Sequence, residues 1–215
     1  MKITGAIFDV DGTLLDSMKM WSGLGRRFLI SCGVFPDDEL ENEIKNMSIY
    51  RFSSFVKDKY NITCDENSIK DNLLKNVSDY YRFEAPLKPG AKDILKYFSE
   101  KNIKMCVATA GDKELVCSAF KRLGIIDCFA DILTCSDDVN AKESGRIYQK
   151  ACQLIGCETR NTWVFEDALY AAKAAKKLGF KVAGIYDESE IAKDELELVA
   201  DEYFINLFDA KEYFV

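Results

Sequence analysis

Two carboxylates two residues apart open the chemistry of this chain. Asp9-Val10-Asp11-Gly12-Thr13 follows directly on an apolar run that begins at Ile3. Gly12 permits a tight turn at that point. A second acidic pair, Glu166-Asp167, follows the apolar Trp163-Val164-Phe165, and Thr109 closes another apolar run that starts at Ile103. Segments far apart in sequence thus each end an apolar run in polar groups. Brought to one rim, three or four carboxylates repel one another, and a divalent cation relieves that repulsion. A donor set of oxygens without His or Cys favours Mg2+. Mg2+ keeps several waters and is commonly completed by a substrate phosphate, so the cluster points to phosphate chemistry.

Other readings of these residues fit less well. An EF-hand loop counted from Asp9 needs glycine at its sixth position and glutamate at its twelfth. Here those positions hold Leu14 and Met20. A solvated pair of aspartates in a turn leaves the second acidic pair unexplained. Gly23-Leu24-Gly25 resembles the start of a dinucleotide fingerprint, but Phe28 stands where the third glycine belongs, and the segment reads as helix rather than strand-turn-helix.

The elements that must position these residues follow from hydrophobic spacing. Ile3 to Asp9 reads as a short buried strand. Residues 16–83 read as helical throughout: Met18, Trp21, Gly25, Phe28 and Cys32 recur at helical spacing, as do Ile49, Phe52, Val56 and Tyr60, then Ile69, Leu73, Val77 and Tyr80. Pro86 and Pro89-Gly90 punctuate the chain like a linker. Beyond them strands and helices alternate. Strands are expected over 103–109, 131–135, 162–165, 181–186 and 203–205, with helices over 91–98, 114–123, 147–155 and 169–178. Such alternation implies a parallel sheet covered on both faces, with ligands beyond the C-terminal strand ends. The fold class expected is α/β, a Rossmann-like doubly wound parallel sheet core (1–15 and 86–215) with an inserted α-helical cap (16–85).

Composition narrows the chemistry. The 215 residues carry 29 Lys+Arg against 36 Asp+Glu, a net charge of −7 that disfavours a nucleic-acid partner. No apolar run approaches the ~20 residues of a membrane helix, and the start of the chain is too short of apolar residues for a signal peptide. Histidine is absent, which excludes Ser-His-Asp triads, Cys-His pairs and His-ligated zinc. None of the 8 cysteines forms a C-x-x-C pair, so they read as small buried hydrophobes in a reducing cytosol. The expected protein is a cytoplasmic monomer with no membrane partner.

Four motifs in one order carry a resemblance over nearly the whole chain. They are Phe8-Asp9-Val10-Asp11-Gly12-Thr13-Leu14, Val107-Ala108-Thr109-Ala110-Gly111, Lys142, and Val164-Phe165-Glu166-Asp167-Ala168, with Leu87-Lys88-Pro89-Gly90-Ala91 between the first two. The chain resembles the haloacid dehalogenase-like superfamily, in its β-phosphoglucomutase-like phosphatase branch. That resemblance implies a nucleophilic Asp9 forming an aspartyl-phosphate, and an Asp11 that protonates the leaving oxygen and then activates water. It implies that Thr109, the backbone near Ala110, and Lys142 hold the phosphoryl group. It implies Mg2+ at Asp9, Asp167 and the backbone carbonyl of Asp11, with Glu166 beside or behind the metal. Two departures stand out. The family commonly has Gly-Lys-Pro where this chain has Ala141-Lys142-Glu143, and Ser where this chain has Ala168.

The helical segment falls where the family carries a cap that reads the leaving group. Trp21 and Arg51 are the candidate substrate contacts, with Lys45, Tyr50, Phe52 and Phe55 as further possibilities. In β-phosphoglucomutases the resemblance would put a histidine where Trp21 stands, and an arginine after a Val-Ser where Met47-Ser48-Ile49 stands, with Arg51 displaced by two. The function expected is a Mg2+-dependent phosphatase of a small phosphorylated metabolite. A sugar-phosphate mutase is the alternative, and a non-catalytic metabolite binder on the same fold comes third.

Overall fold

A computed structural model of the chain describes residues 3–44, 49–135 and 140–215. Lys45, Met47 and Ser48 lie outside the described residues, as does the side chain of Tyr50. The strands are β1 (Gly5–Phe8), β2 (Lys104–Thr109), β3 (Ile132–Thr134), β4 (Thr162–Glu166), β5 (Lys181–Ile185) and β6 (Glu202–Phe204). The helices are α1 (Met18–Ser31), α2 (Leu40–Ile44), α3 (Ile49–Tyr60), α4 (Glu66–Phe83), α5 (Ala91–Glu100), α6 (Lys113–Leu123), α7 (Arg146–Leu154), α8 (Leu169–Lys177), α9 (Lys193–Val199) and α10 (Leu207–Phe214). They fall into two compact units, Met1–Ser17 with Ala85–Val215, and Met18–Glu84.

The first unit is an α/β core. Its strands lie in the order β3-β2-β1-β4-β5-β6, and every neighbouring pair is parallel. This is the doubly wound Rossmann order, in which the connection reverses direction beside β1. β1 and β4 are buried at every position, as strands covered on both faces must be. Alternate residues serve the two faces. Ile7, Cys106, Ala108, Val164 and Val182 join Ala151 of α7, Ala172 of α8 and Leu196 of α9 in one apolar cluster. On the other face Phe8 stacks on Phe165 at 4.4 Å between ring centroids, and Phe98 of α5 and Phe214 of α10 close over them.

Two helices of the core had no counterpart in the sequence reading. α9 reads Lys-Asp-Glu-Leu-Glu-Leu-Val and buries only Leu196. α10 is capped by Asn206, whose side chain accepts from the Asp209 N–H at 3.0 Å. Pro89-Gly90 is not a slack linker. Gly90 has φ +84, and a Cβ there would stand 2.1 Å from the Phe208 nitrogen, so α10 packs directly on this backbone. The Leu207 N–H donates to Pro89 O at 2.9 Å.

The second unit is helical but not continuously so, which corrects the reading of 16–83. Non-helical segments separate α1 from α2 and α3 from α4. Gly33 turns left-handed with φ +78 after α1, and Asp65 caps α4 by accepting from the Ser68 N–H at 3.0 Å. The cysteines also divide. Cys106, Cys135 and Cys152 are buried as expected, whereas Cys32 and Cys64 are exposed. Among the described residues no helix is long and apolar enough to cross a membrane.

Candidate active site

The site grows from the end of β1. The ladder runs one residue past the strand, because the Asp9 N–H donates to Phe165 O at 3.0 Å. The chain then folds back, with Leu14 and Leu15 N–H groups donating to Val10 O at 2.9 and 2.8 Å. Gly12 has φ +89, and a Cβ on it would lie 2.2 Å from Asp167 Oδ2. Only glycine fits between this turn and the end of β4.

Asp9, Glu166 and Asp167 are buried, and each brings a carboxylate oxygen within 4.8 Å of the other two. Lys142 Nζ lies between them, 2.5 Å from Asp9 Oδ1 and 2.9 Å from Glu166 Oε1. Tyr148 of α7 donates to the same Glu166 Oε1 at 2.6 Å. Thr13 donates to Asp167 Oδ1 at 2.9 Å. Three carboxyl groups cluster beside one ammonium, so with all three ionised two negative charges would be in excess. An all-oxygen cluster with that excess suits a hard divalent cation.

Thr109 ends β2 and is buried. Its Oγ1 accepts from the Gly111 N–H at 2.9 Å, which leaves the hydroxyl proton to donate. Asp11 is part-buried, and its Oδ1 accepts from Ser17 Oγ at 2.5 Å. A Cβ placed on Gly111 would lie 3.3 Å from Thr109 Oγ1 and 3.5 Å from Asp11 Oδ2. The Asp11 carboxylate and the Thr109 hydroxyl therefore border the same small space. Ala110 is exposed just beyond β2. Trp21 and Arg51 belong to the helical unit, where Trp21 Nε1 donates to Tyr81 Oη at 3.3 Å and Arg51 is exposed on α3.

Three of these partners carry no signal in residue spacing. Tyr148 read as core because its spacing matches Ile147, Ala151 and Cys152. A fully buried tyrosine still needs a partner for its hydroxyl, and that was the available signal. Thr13 sat unused within a motif. Lys88 is the third: its ammonium donates to Gly12 O at 2.8 Å, Tyr186 O at 2.7 Å and Asp187 Oδ2 at 2.7 Å. It ties the turn after β1 to the end of β5, across a separation too long for spacing to reveal.

A profile of the haloacid dehalogenase-like hydrolases matches residues 3–179. The chain belongs to this family. Among curated relatives, this hydrolase is 27% identical to the validoxylamine A 7'-phosphate phosphatase of Streptomyces hygroscopicus subsp. limoneus, over 90% of this chain and 92% of that one. It is 26% identical to the phosphorylated carbohydrates phosphatase of Thermotoga maritima, over 94% and 96% of the two chains. Its fold matches that of a Thermotoga maritima protein provisionally named a beta-phosphoglucomutase, with a TM-score of 0.83 at 22% identity over 99% of both chains.

Burial sets the electrostatics of the hydrolase site. It pushes the Asp9 carboxyl up to about 6, against the pull of Lys142 and with a further push from Glu166. Burial also carries Asp167 well above the usual carboxylate range, and Asp9 and Glu166 add to the rise. For Lys142 burial acts the other way, but the Asp9 and Glu166 carboxylates outweigh it and hold the ammonium well above its ordinary value. A carboxyl raised on folding binds more protons in the native state, so stability falls as pH rises from about 4 through the folded value. Asp187 and Asp201 are instead lowered, held against burial chiefly by hydrogen bonds from Lys88 and from Lys176. Their stabilisation is present above about pH 4 and is lost below it. In EDTA the protein is expected to be more stable at pH 5 than at pH 8 by about 1 kcal/mol, or about 2–4 °C in Tm. Differential scanning calorimetry checks this, and a higher Tm at pH 8 would contradict the arrangement.

Proposed function

We propose that the protein is a Mg2+-dependent phosphatase acting on a small phosphorylated metabolite through an aspartyl-phosphate at Asp9. The observation that carries this reading is a buried carboxylate at the end of the central strand, gripped by Lys142 and flanked by two further buried carboxylates. The names of the full-length curated relatives support it.

In this reading an Asp9 carboxylate oxygen attacks phosphorus. The Asp9 oxygen–phosphorus bond forms as the ester oxygen–phosphorus bond breaks. The leaving oxygen takes a proton from Asp11, whose second oxygen stays fixed by Ser17. Asp11 then takes a proton from water, the water oxygen attacks phosphorus, and phosphate leaves with Asp9 restored. Thr109 donates to a phosphoryl oxygen, with the backbone near Ala110 beside it, and Lys142 neutralises charge on Asp9 and on the phosphoryl group. Asp9, Asp167 and the carbonyl of Asp11 would hold Mg2+, which lowers the repulsion between an anionic nucleophile and an anionic ester. Choice of the leaving group we assign to the helical unit, with Trp21 and Arg51 as candidate contacts.

The test is phosphate release from a panel of p-nitrophenyl phosphate, sugar phosphates, polyol phosphates and nucleotides. Release is expected in Mg2+, with loss of at least about 100-fold in EDTA and recovery when Mg2+ is restored. Turnover that survives EDTA would refute the metal requirement. No release from any ester would refute the phosphatase.

A further inference from the structure

Glu166 Oε1 receives two donors, the Lys142 ammonium at 2.9 Å and the Tyr148 hydroxyl at 2.6 Å. The tyrosine is fully buried, its ring set edge-on to Phe180 at 6.3 Å, so its hydroxyl is held in place by packing. Glu166 Oε2 lies 3.5 Å from the Ala168 N–H, at the limit of a hydrogen bond. Among the described residues, the strong contacts of Glu166 thus fall on one oxygen, on the side that faces Lys142. With two donors on it, that oxygen is poorly placed to serve a cation as well.

We infer that Tyr148 is a positioning residue: its hydroxyl fixes Glu166 so that Glu166 orients the Lys142 ammonium toward Asp9. Glu166 then supports the lysine through Oε1. The chain is Tyr148 to Glu166 to Lys142 to Asp9, in hydrogen bonds of 2.6, 2.9 and 2.5 Å. Outer partners of this kind typically alter activity 10–100-fold when removed. The consequence for catalysis rests on the phosphatase reading, but the orientation of Lys142 does not.

Tyr148→Phe keeps the ring and removes only the hydroxyl. The first measurement is the side-chain ammonium signal of Lys142 in NMR of the metal-free protein with 15N-labelled lysine, assigned by its loss in Lys142→Met. Tyr148→Phe is expected to shift that signal, and to shift it no further when Glu166→Gln is already present. An unmoved signal, or an equal shift in both backgrounds, overturns the inference, since Tyr148 would then act by packing or not at all. The second measurement is turnover of the best ester. Tyr148→Phe should lower kcat about tenfold with KM within twofold. A changed KM at constant kcat overturns the positioning role. Should wild type hydrolyse no ester, the phosphatase reading fails while the NMR comparison still decides this one.

Discussion

Asp9→Asn is expected to abolish turnover and at the same time to make the metal-free protein more stable. Both follow from one buried carboxylate. In the proposed mechanism an amide cannot replace the attacking carboxylate, so the loss of activity in phosphate release should reach at least about 10^3-fold, the scale seen when an enzyme loses its nucleophile. The gain in stability has a separate cause. Asp9 is 3% exposed, and burial has raised its carboxyl to about 6. At pH 8 the folded protein must keep that group charged at a cost the unfolded chain does not bear. Asparagine has nearly the same shape and no charge, so urea denaturation in EDTA at pH 8 should show a gain of about 1–3 kcal/mol. At pH 5, where Asp9 is largely protonated, the gain should shrink. A variant that loses stability at pH 8 would show that the Lys142 pair outweighs the burial of Asp9.

Lys142→Met is expected to do the opposite to stability. Lys142 is the ammonium that meets both Asp9 and Glu166, and it is itself buried. Methionine fills similar space but leaves two buried carboxylates without their counter-charge. Breaking a buried pair from one side typically costs about 3–5 kcal/mol. Acid should relieve the defect as Asp9 takes up a proton, so the stability of this variant should fall more steeply between pH 5 and pH 8 than that of wild type. Activity should fall with it, because in the proposed mechanism Lys142 balances charge as an anionic ester approaches Asp9. The decisive comparison is the sign of the two stability changes in one buffer. If both variants destabilise by similar amounts at pH 8, the carboxylates are not crowded in the way their burial implies.

The core strands were legible because strands buried on both faces are short apolar runs, and β1, β2, β4 and β5 each are. The carboxylates at their ends were legible for the same reason, since a charge that interrupts such a run marks the rim of the sheet. Lys142 could be found only by motif order. Nothing in Ala141-Lys142-Glu143 distinguishes it from a surface lysine, and only the fold brings it to Asp9. α9 was hidden by its charges, and α10 by its length and by Phe208 and Tyr213, which are half exposed and blur the helical stripe. Tyr148, Lys88 and Asp187 were illegible because their meaning lies in partners distant in sequence. Spacing reveals which face a residue shares, not which hydrogen bond it makes across the sheet.

The two segments that bracket the helical unit are bonded to each other inside the core. The Asp16 N–H donates to Pro86 O at 3.0 Å, the Lys88 N–H donates to Leu14 O at 2.9 Å, and Leu15 bridges Leu87 antiparallel. The chain therefore leaves the core and returns to it through the same narrow neck. The entropy of closing a loop grows only with the logarithm of its length, about 0.6 kcal/mol for each doubling. Residues between such anchors can be added, removed or exchanged while the sheet sees almost the same constraint. The neck thus lets the insert change length at little entropic cost to the core.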